Sequence, residues 1–338
     1  MKFYPLTVLD VIDETDSARS FVLEPQADSA EHFHYKAGQF LTFRVPWNDA
    51  EDGFLDRCYS LSSAPETSEH MKVTVKREQG GRVSNWFNDT VKAGDVIDVA
   101  APSGRFVLKG NDKPLALFAA GSGITPVLSI IKSTLAGGAK SIRLFYANRD
   151  KENVIFHQEL DALCNQHSDI LRCHHHLDSD SGFVNPDIIK PQCGDAEHYV
   201  CGPGPFMDIV EDALADFGVK DSEIHIERFT TLEDASSSDV KTKAPSDVTG
   251  FRATLDFDDH DVVYEPDQTL LESMLSAGLD PAHSCKNGKC GSCMVLMKDG
   301  EVEMHSNKVL SKRDLEKGYV LLCQSVPMSK NVWVDCDE

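Results

Sequence analysis

"CKNGKCGSCMVL", residues 285–296, sets three cysteines within nine positions, and "LLCQSV", residues 321–326, adds a fourth at Cys323. The four fall in the spacing C-x4-C-x2-C-x29-C: Cys285, Cys290, Cys293, Cys323. This is the plant-type arrangement in which four thiolates hold a two-iron two-sulfur (2Fe–2S) cluster. Zinc is the rival ion, but zinc sites favour two C-x2-C knuckles and only one such pair occurs here. The loop "KNGKCGS" is short and carries glycine, so its backbone N–H groups can turn toward sulfur and tune the potential. Of the remaining cysteines, Cys58, Cys164, Cys173, Cys193 and Cys336 read as packed or partly exposed thiols. The triplet His174–His176 looks like a metal site, yet consecutive strand residues point to opposite faces and cannot converge on one ion.

Upstream of the cysteines the chain is too long for one core: 338 residues suggest two or three domains. No apolar run reaches the ~20 residues of a membrane span. The opening "MKFYPLTVLDVIDETD" turns acidic before any signal-peptide core appears, so a cytoplasmic protein is expected, with its thiols reduced and unpaired. The 33 basic and 55 acidic residues give a formal charge of −22, and no basic stripe interrupts it. That surface repels nucleic acid, so neither nucleic acid nor a membrane is expected as a partner.

Three periodicities divide the sequence. From 1 to 110, "QFLTFRV", "MKVTVKRE", "DVIDVAAP" and "GRFVL" alternate apolar and polar residues, as half-buried antiparallel strands do, with one helical stretch in "VSNWFNDTV". A small antiparallel β-barrel is expected. From 111 to 229, continuous apolar runs ("LALFAA", "IRLFYAN", "EHYVCG") alternate with helical patterns, which predicts an α/β domain with a parallel sheet covered on both faces. Residues 230–249 are rich in Ser, Thr, Asp, Lys and Pro and read as a linker. The part from 250 to 338 reads as a small β-rich domain with one main helix, "TLLESMLSAG".

A cluster moves single electrons and needs a source. "AAGSGITP", 119–126, ends a buried strand and opens a helix whose N–H groups suit a pyrophosphate, with Gly121, Gly123, Thr125 and Pro126 in the turn. It falls short of G-x-G-x-x-G, because Pro126 stands at the third glycine; a plain strand-to-helix turn is the alternative. Arg149, in "YANRD", can meet a nucleotide ribose or phosphate, or be a solvated charge. "YVCGPGPFM" ends a strand on Cys201, Gly202 and Pro203, small enough for a flat ring to approach closely, with Cys201 where a nicotinamide could lie. In "RCYS", Arg57 and Tyr59 share one face and Ser60 takes the other; an arginine clamps pyrophosphate and a tyrosine stacks on a flavin. "GGRVS", 80–84, offers a second anion-friendly helix start.

In this order and spacing, "RCYS", "GGRVS", "GSGITP" and "CGPGPF" resemble the ferredoxin–NADP reductase family, and the plant-type cysteine domain behind them resembles the reductase components of multicomponent oxygenases, especially the 3-ketosteroid 9α-hydroxylase and phenylacetyl-CoA epoxidase types. The likeness covers nearly the whole chain apart from 230–249. It implies a β-grasp fold for the last domain, Arg57 on the flavin pyrophosphate with Val83 and Ser84, Tyr59 stacked on the isoalloxazine, Ser60 near its N5 and Phe229 shielding the ring. It implies FAD rather than FMN, since "GGRVSNWF" lacks the extra glycines of phthalate dioxygenase reductase, an FMN relative. NADH is expected over NADPH, because Asp150 and Glu152 follow Arg149 and repel a 2′-phosphate. The resulting expectation is a reductase passing electrons from NADH through FAD and a 2Fe–2S cluster to a terminal oxygenase that docks near Lys286 and Lys289. A stand-alone diaphorase for small acceptors and a non-enzymatic redox sensor are the other readings.

Overall fold

The computed structural model describes residues 1–48, 50, 53–110, 112–138, 141–229, 243–288 and 290–337. It divides into a larger unit, 2–232, and a smaller one that begins at 233.

The larger unit holds two sheets. The first is antiparallel and six-stranded, in the order 54–60, 40–46, 96–103, 3–15, 18–25, 71–76. A bridge between Leu61 and Val73 joins its two outer strands and closes the barrel. Leu6, Phe21, Leu41, Phe43, Val73, Phe87 and Val99 fill it. The hairpin 3–25 escapes the alternation pattern because its register shifts twice, between Val8 and Asp10 and between Asp13 and Thr15. "GRFVL" is a correction: 104–110 forms no strand. Gly104 and Gly110 have φ of 118° and 159°, and the segment is instead pinned to the second sheet, where the Tyr199 hydroxyl accepts from Lys109 N–H at 3.0 Å.

The second sheet is wholly parallel, in the order 224–228, 197–202, 115–120, 142–148, 171–177. Strand Leu115–Ala120 is buried along its length, as a strand covered on both faces must be. Helices Ile124–Ala136, His157–Gln166 and Gly204–Phe217 supply the cover. Polar contacts fasten barrel to sheet: Ser129 Oγ donates to Ser63 O at 2.5 Å, and Lys72 and Lys132 both pair with Glu159.

Two cysteines depart from expectation. Cys164, on helix His157–Gln166, and Cys173, on strand Leu171–Leu177, form a disulfide with Cα atoms 6.8 Å apart. Neither is the unpaired thiol that a reducing compartment leads one to expect; the tight helix-to-strand reversal over nine residues brings them together. The histidine triplet behaves as strand geometry requires. His174 and His176 stack on Phe145, while His175 turns to Tyr146 and His157.

The smaller unit is a five-stranded sheet in the order 258–263, 250–255, 333–335, 294–299, 319–321, packed on helix Leu270–Ser276. Strands 250–255 and 333–335 are parallel, and the other pairs are antiparallel, as in a β-grasp fold. Part of the expected linker belongs to this core: Val248 is buried and Ala244 packs against the cluster of Phe251, Leu271 and Val334. Residues 230–242 of that stretch lie outside the described residues. Asp256 and Phe257 form the turn of the hairpin 250–263 with φ of 55° and 65°, a conformation that costs a non-glycine residue about 1–2 kcal/mol. The Asp337 carboxylate offsets this by accepting both backbone N–H groups, at 3.0 and 2.7 Å. No helix among the described residues is long and apolar enough to cross a membrane.

Candidate redox site

In the parallel sheet the chain order reverses at strand 115–120, which pairs with 142–148 on one side and 197–202 on the other. Ligands bind open α/β sheets in the crevice at the carboxyl ends of the strands flanking such a reversal. The expected residues Gly121, Gly123, Thr125 and Pro126 follow one of these strands, and Cys201, Gly202 and Pro203 end or follow the other. A side chain is impossible at Gly123: a Cβ there would lie 2.2 Å from the Cys201 carbonyl oxygen. Gly202 is nearly as tight, with Ala120 and Phe206 at 3.0 Å from a built Cβ. Thr125 is buried and its hydroxyl donates to Ser122 O at 3.0 Å, tightening the turn. Arg149, 77% exposed at its side chain, follows the neighbouring strand and pairs with Asp150 at 3.0 Å.

Helices Ile124–Ala136 and Gly204–Phe217 start here on Gly123 and Pro203, neither of which offers a side-chain cap. The 3-10 turn Gly121–Gly123 runs directly into the first, so Ile124 N–H already donates to Gly121 O and Ser122 O, and Pro126 and Pro205 carry no N–H; only the remaining N–H groups of these two turns can meet a ligand or water. The barrel repeats the device: helix Arg82–Thr90 starts on Gly81, again without a side-chain cap. Val83 is buried in the barrel core, so only its backbone is available to an anion; the Ser84 hydroxyl already accepts from Glu78 N–H at 3.2 Å.

On strand Phe54–Ser60, Arg57 donates to the Asp56 carbonyl at 2.7 Å and keeps its remaining donors. The Tyr59 ring lies edge-on to Phe87 at 5.3 Å and beside Phe43 at 5.8 Å. Burial holds its phenol well above the ordinary range, and the Arg57 guanidinium works against that shift. Ser60 joins the two sheets: its hydroxyl donates to Glu227 Oε2 at 3.0 Å. Glu227 in turn sits opposite Cys201 in the parallel register. Burial foremost, and the Glu227 carboxylate second, push the fully buried Cys201 thiol well up. Phe229 packs against the core that contains Tyr199 and Cys201. Ser60, Cys201 and Glu227 are thus one constellation, with Tyr59 adjacent in sequence.

Sequence reasoning passed over two residues, one in this constellation and one beside Gly121. Glu227 stands in the quoted "ERF", but its meaning depends on a register that links it to Cys201. Lys76 ends strand Met71–Lys76 with its Nζ beside Gly121, 3.6 Å from where a Cβ would stand. Burial pushes its ammonium pKa down, Glu78 opposes that, and Arg149 adds to it. The charge alternation in "KRE" is its only sequence signal.

In the smaller unit the four cysteines come together as two neighbouring pairs. Cys285 N–H donates to Cys290 Sγ at 3.4 Å, and the Cys293 and Cys323 side chains are hydrogen-bonded to each other. Left-handed backbone at Lys286, Gly288 and Gly291 folds the loop around them. The Gln324 amide donates to Cys323 Sγ at 3.6 Å, and the Gly288 N–H reaches the same sulfur. Donors converging on sulfur are what a thiolate-bound cluster requires, so this donor set fits a 2Fe–2S group. Lys289 lies outside the described residues.

Family models match in the same order: an oxidoreductase FAD-binding domain over 5–108, an oxidoreductase NAD-binding domain over 117–212, and a 2Fe-2S iron-sulfur cluster binding domain over 254–328. The ferredoxin reductase component of the 3-ketosteroid-9-alpha-monooxygenase of Mycolicibacterium smegmatis is 44% identical, over 98% of this chain and 97% of its own. A component of the 1,2-phenylacetyl-CoA epoxidase of Escherichia coli is 32% identical over 99% and 98%. Among solved structures, phthalate dioxygenase reductase, a modular structure for electron transfer from pyridine nucleotides to [2Fe-2S], matches with a TM-score of 0.63 at 26% identity, covering 98% of each chain. With uncapped helix starts, a Ser–Glu–Cys constellation and a four-thiol loop in one sequence, the chain belongs to the oxygenase reductase components of the ferredoxin–NADP reductase family: it is an NAD(P)H-dependent oxidoreductase that uses FAD and a 2Fe–2S cluster.

Proposed function

We propose that this chain is the cytoplasmic reductase of a 3-ketosteroid 9α-monooxygenase, taking electrons from NADH and delivering them to that system's terminal oxygenase. The observation that carries the substrate class is full-length identity of 39–44% to such components, against 32% to the epoxidase component. The division of labour is 1–110 for FAD, 111–229 for NADH and 250–338 for the cluster, with the end of the expected 230–249 linker, at Ala244 and Val248, serving the cluster unit's core.

When bound, FAD would supply two-electron hydride chemistry and the cluster one-electron transfer. The chain's own residues orient and shield. Arg57 and the uncapped start of helix Arg82–Thr90 neutralise the flavin pyrophosphate, through the backbone of Val83 and Ser84. Tyr59 and Phe229 cover the ring. Gly121 to Pro126, Lys76 and Arg149 hold the dinucleotide backbone, while Cys201, Gly202 and Pro203 leave room for nicotinamide. Ser60, fixed by Glu227, presents its hydroxyl to the flavin edge. Cys285, Cys290, Cys293 and Cys323 ligate the irons. The Lys286 backbone, held through its carbonyl by Gln324 Nε2 at 3.2 Å, projects a cation from the cluster loop toward the oxygenase.

Reconstitution tests the reading. With NADH, this reductase should support hydroxylation by the ketosteroid oxygenase and couple poorly to the epoxidase oxygenase. Lys286→Glu should slow oxygenase reduction and alter its salt dependence while NADH–ferricyanide turnover stays normal. Better coupling to the epoxidase system, or full-rate aerobic NADH oxidation with no protein partner, overturns it.

A further inference from the structure

Phe257 is 89% exposed, the most exposed large apolar side chain among the described residues. It stands at a turn position, φ 65°, that ordinarily takes glycine or asparagine. Nothing local rewards an aromatic residue there, since it neither packs nor suits the backbone. The turn is nonetheless held firmly. The Asp337 carboxylate accepts from the N–H groups of both Asp256 and Phe257, Asp337 N–H donates to Asp335 Oδ1 at 3.0 Å, and Cys336 N–H donates to Thr254 O at 2.9 Å. A local rule broken and then braced is the mark of a residue kept for function.

The sheet register says where the turn lies. Thr254 is opposite Asp335, and Asp335 is opposite Leu296 on the next strand. Asp337, bonded to the turn, is therefore level with Met294, and Cys293 comes next along the chain. On the other side Met294 faces Leu321, two residues before Cys323. The Phe257 turn and the ligands Cys293 and Cys323 thus emerge at the same end of the sheet, separated by two to three strand spacings, roughly 10–15 Å. Exposed Asp256, Asp258 and Asp259 flank Phe257 in the hairpin, and exposed Asp337 is bonded to its backbone.

We propose that Phe257 is a docking knob that enters an apolar, basic-rimmed pocket on the protein that accepts electrons from the cluster. This rests on the reading of the chain as an oxygenase reductase. Electron-transfer interfaces are small, so one buried aromatic anchor carries a large share of the affinity, and the flanking carboxylates steer a basic rim onto it.

The test uses the full-length holoenzyme and the terminal oxygenase of a 3-ketosteroid 9α-monooxygenase. Phe257→Gly relieves the left-handed turn, so its melting temperature should hold or rise, with cluster absorbance and NADH–ferricyanide turnover unchanged. The oxygenase concentration for half-maximal reduction should rise about tenfold or more, at an unchanged limiting rate. Asp256→Asn with Asp258→Asn should slow encounter at low salt and flatten its salt dependence. Wild-type coupling with an unaffected Phe257→Gly variant overturns the knob alone. A wild-type dimer that the variant converts to monomer overturns it too, by making the knob a self-contact. A wild type that reduces ferricyanide but not this oxygenase overturns the functional reading and the knob's partner with it.

Discussion

The helices beside the candidate sites of the two units begin differently. In the cluster unit, Thr269 and Ser311 each accept from an N–H three residues on, and Glu272 and Asp314 return the bond, so helices Leu270–Ser276 and Lys312–Glu316 are closed by capping boxes. In the larger unit, helices 82–90, 124–136 and 204–217 start on Gly81, Gly123 and Pro203 with no side-chain acceptor. A capped start stabilises a helix; an uncapped one at a strand end keeps its donors for an anion. Helix His157–Gln166, headed by left-handed Phe156, is also uncapped yet lies away from the sheet reversal, so the missing cap has meaning only together with its place in the sheet. On the function proposed above, the cluster unit would hold its group with a loop of thiols on a self-sufficient scaffold, and the larger unit would hold its groups with the scaffold's own unfinished ends.

The sharpest way to break this contrast is Cys290→Ser. It should abolish iron–sulfur absorbance and electron delivery to an oxygenase, yet leave flavin content and NADH–ferricyanide turnover largely intact; a collapse of ferricyanide turnover with flavin still bound would mean the units are not separable. Gly81→Asp is the counterpart. A carboxylate at that helix start should strip FAD from the purified protein while cluster absorbance survives. Gly81→Ala shares the crowding against Ser84 Oγ, 2.4 Å from a built Cβ, so charge is isolated by the difference between the two variants. Equal flavin occupancy in both removes the anion-site reading.

Smaller effects refine it. Ser60→Ala removes the hydroxyl proposed to face the flavin edge; if it contributes about 1.5–3 kcal/mol in the transition state alone, the rate of flavin reduction by NADH should fall roughly ten- to hundredfold. Rapid-mixing measurement of that half-reaction decides, and an unchanged rate would confine Ser60 to bracing the two sheets. NADPH should serve at least about tenfold less well than NADH in kcat/KM, since Asp150 and Glu152 follow Arg149 and would repel an added 2′-phosphate; steady-state kinetics favouring NADPH would contradict this. Least of all, Thr269→Ala should destabilise the cluster unit by about 1 kcal/mol with no effect on flavin binding, read from denaturant unfolding of each chromophore.

Much of this contrast is visible in residues alone. The cysteine spacing, the buried strand ahead of Gly121 and the Gly-Pro turn after Cys201 each encode a local geometry, and local geometry is what a sequence states openly. What escapes it is non-local or conditional. Glu227 acquires its role from strand pairing with Cys201 and from Ser60, 167 residues away. The Cys164–Cys173 disulfide escapes because compartment says nothing about a helix doubling back on its strand. "GRFVL" alternates like a strand, but two glycines with positive φ turn it into a strap bound by Tyr199.

At Gly123 the backbone of one strand-to-helix turn rests directly on the carbonyl of the neighbouring strand's end, with no space for a methyl group. The two walls of the nucleotide crevice are therefore set at a fixed width by main chain alone. Such a gauge does not depend on side chains: those around it can be exchanged without moving the walls, whereas any residue larger than glycine at 123 would force them apart. Specificity in this scaffold is free to wander, and the step across which hydride must pass is not.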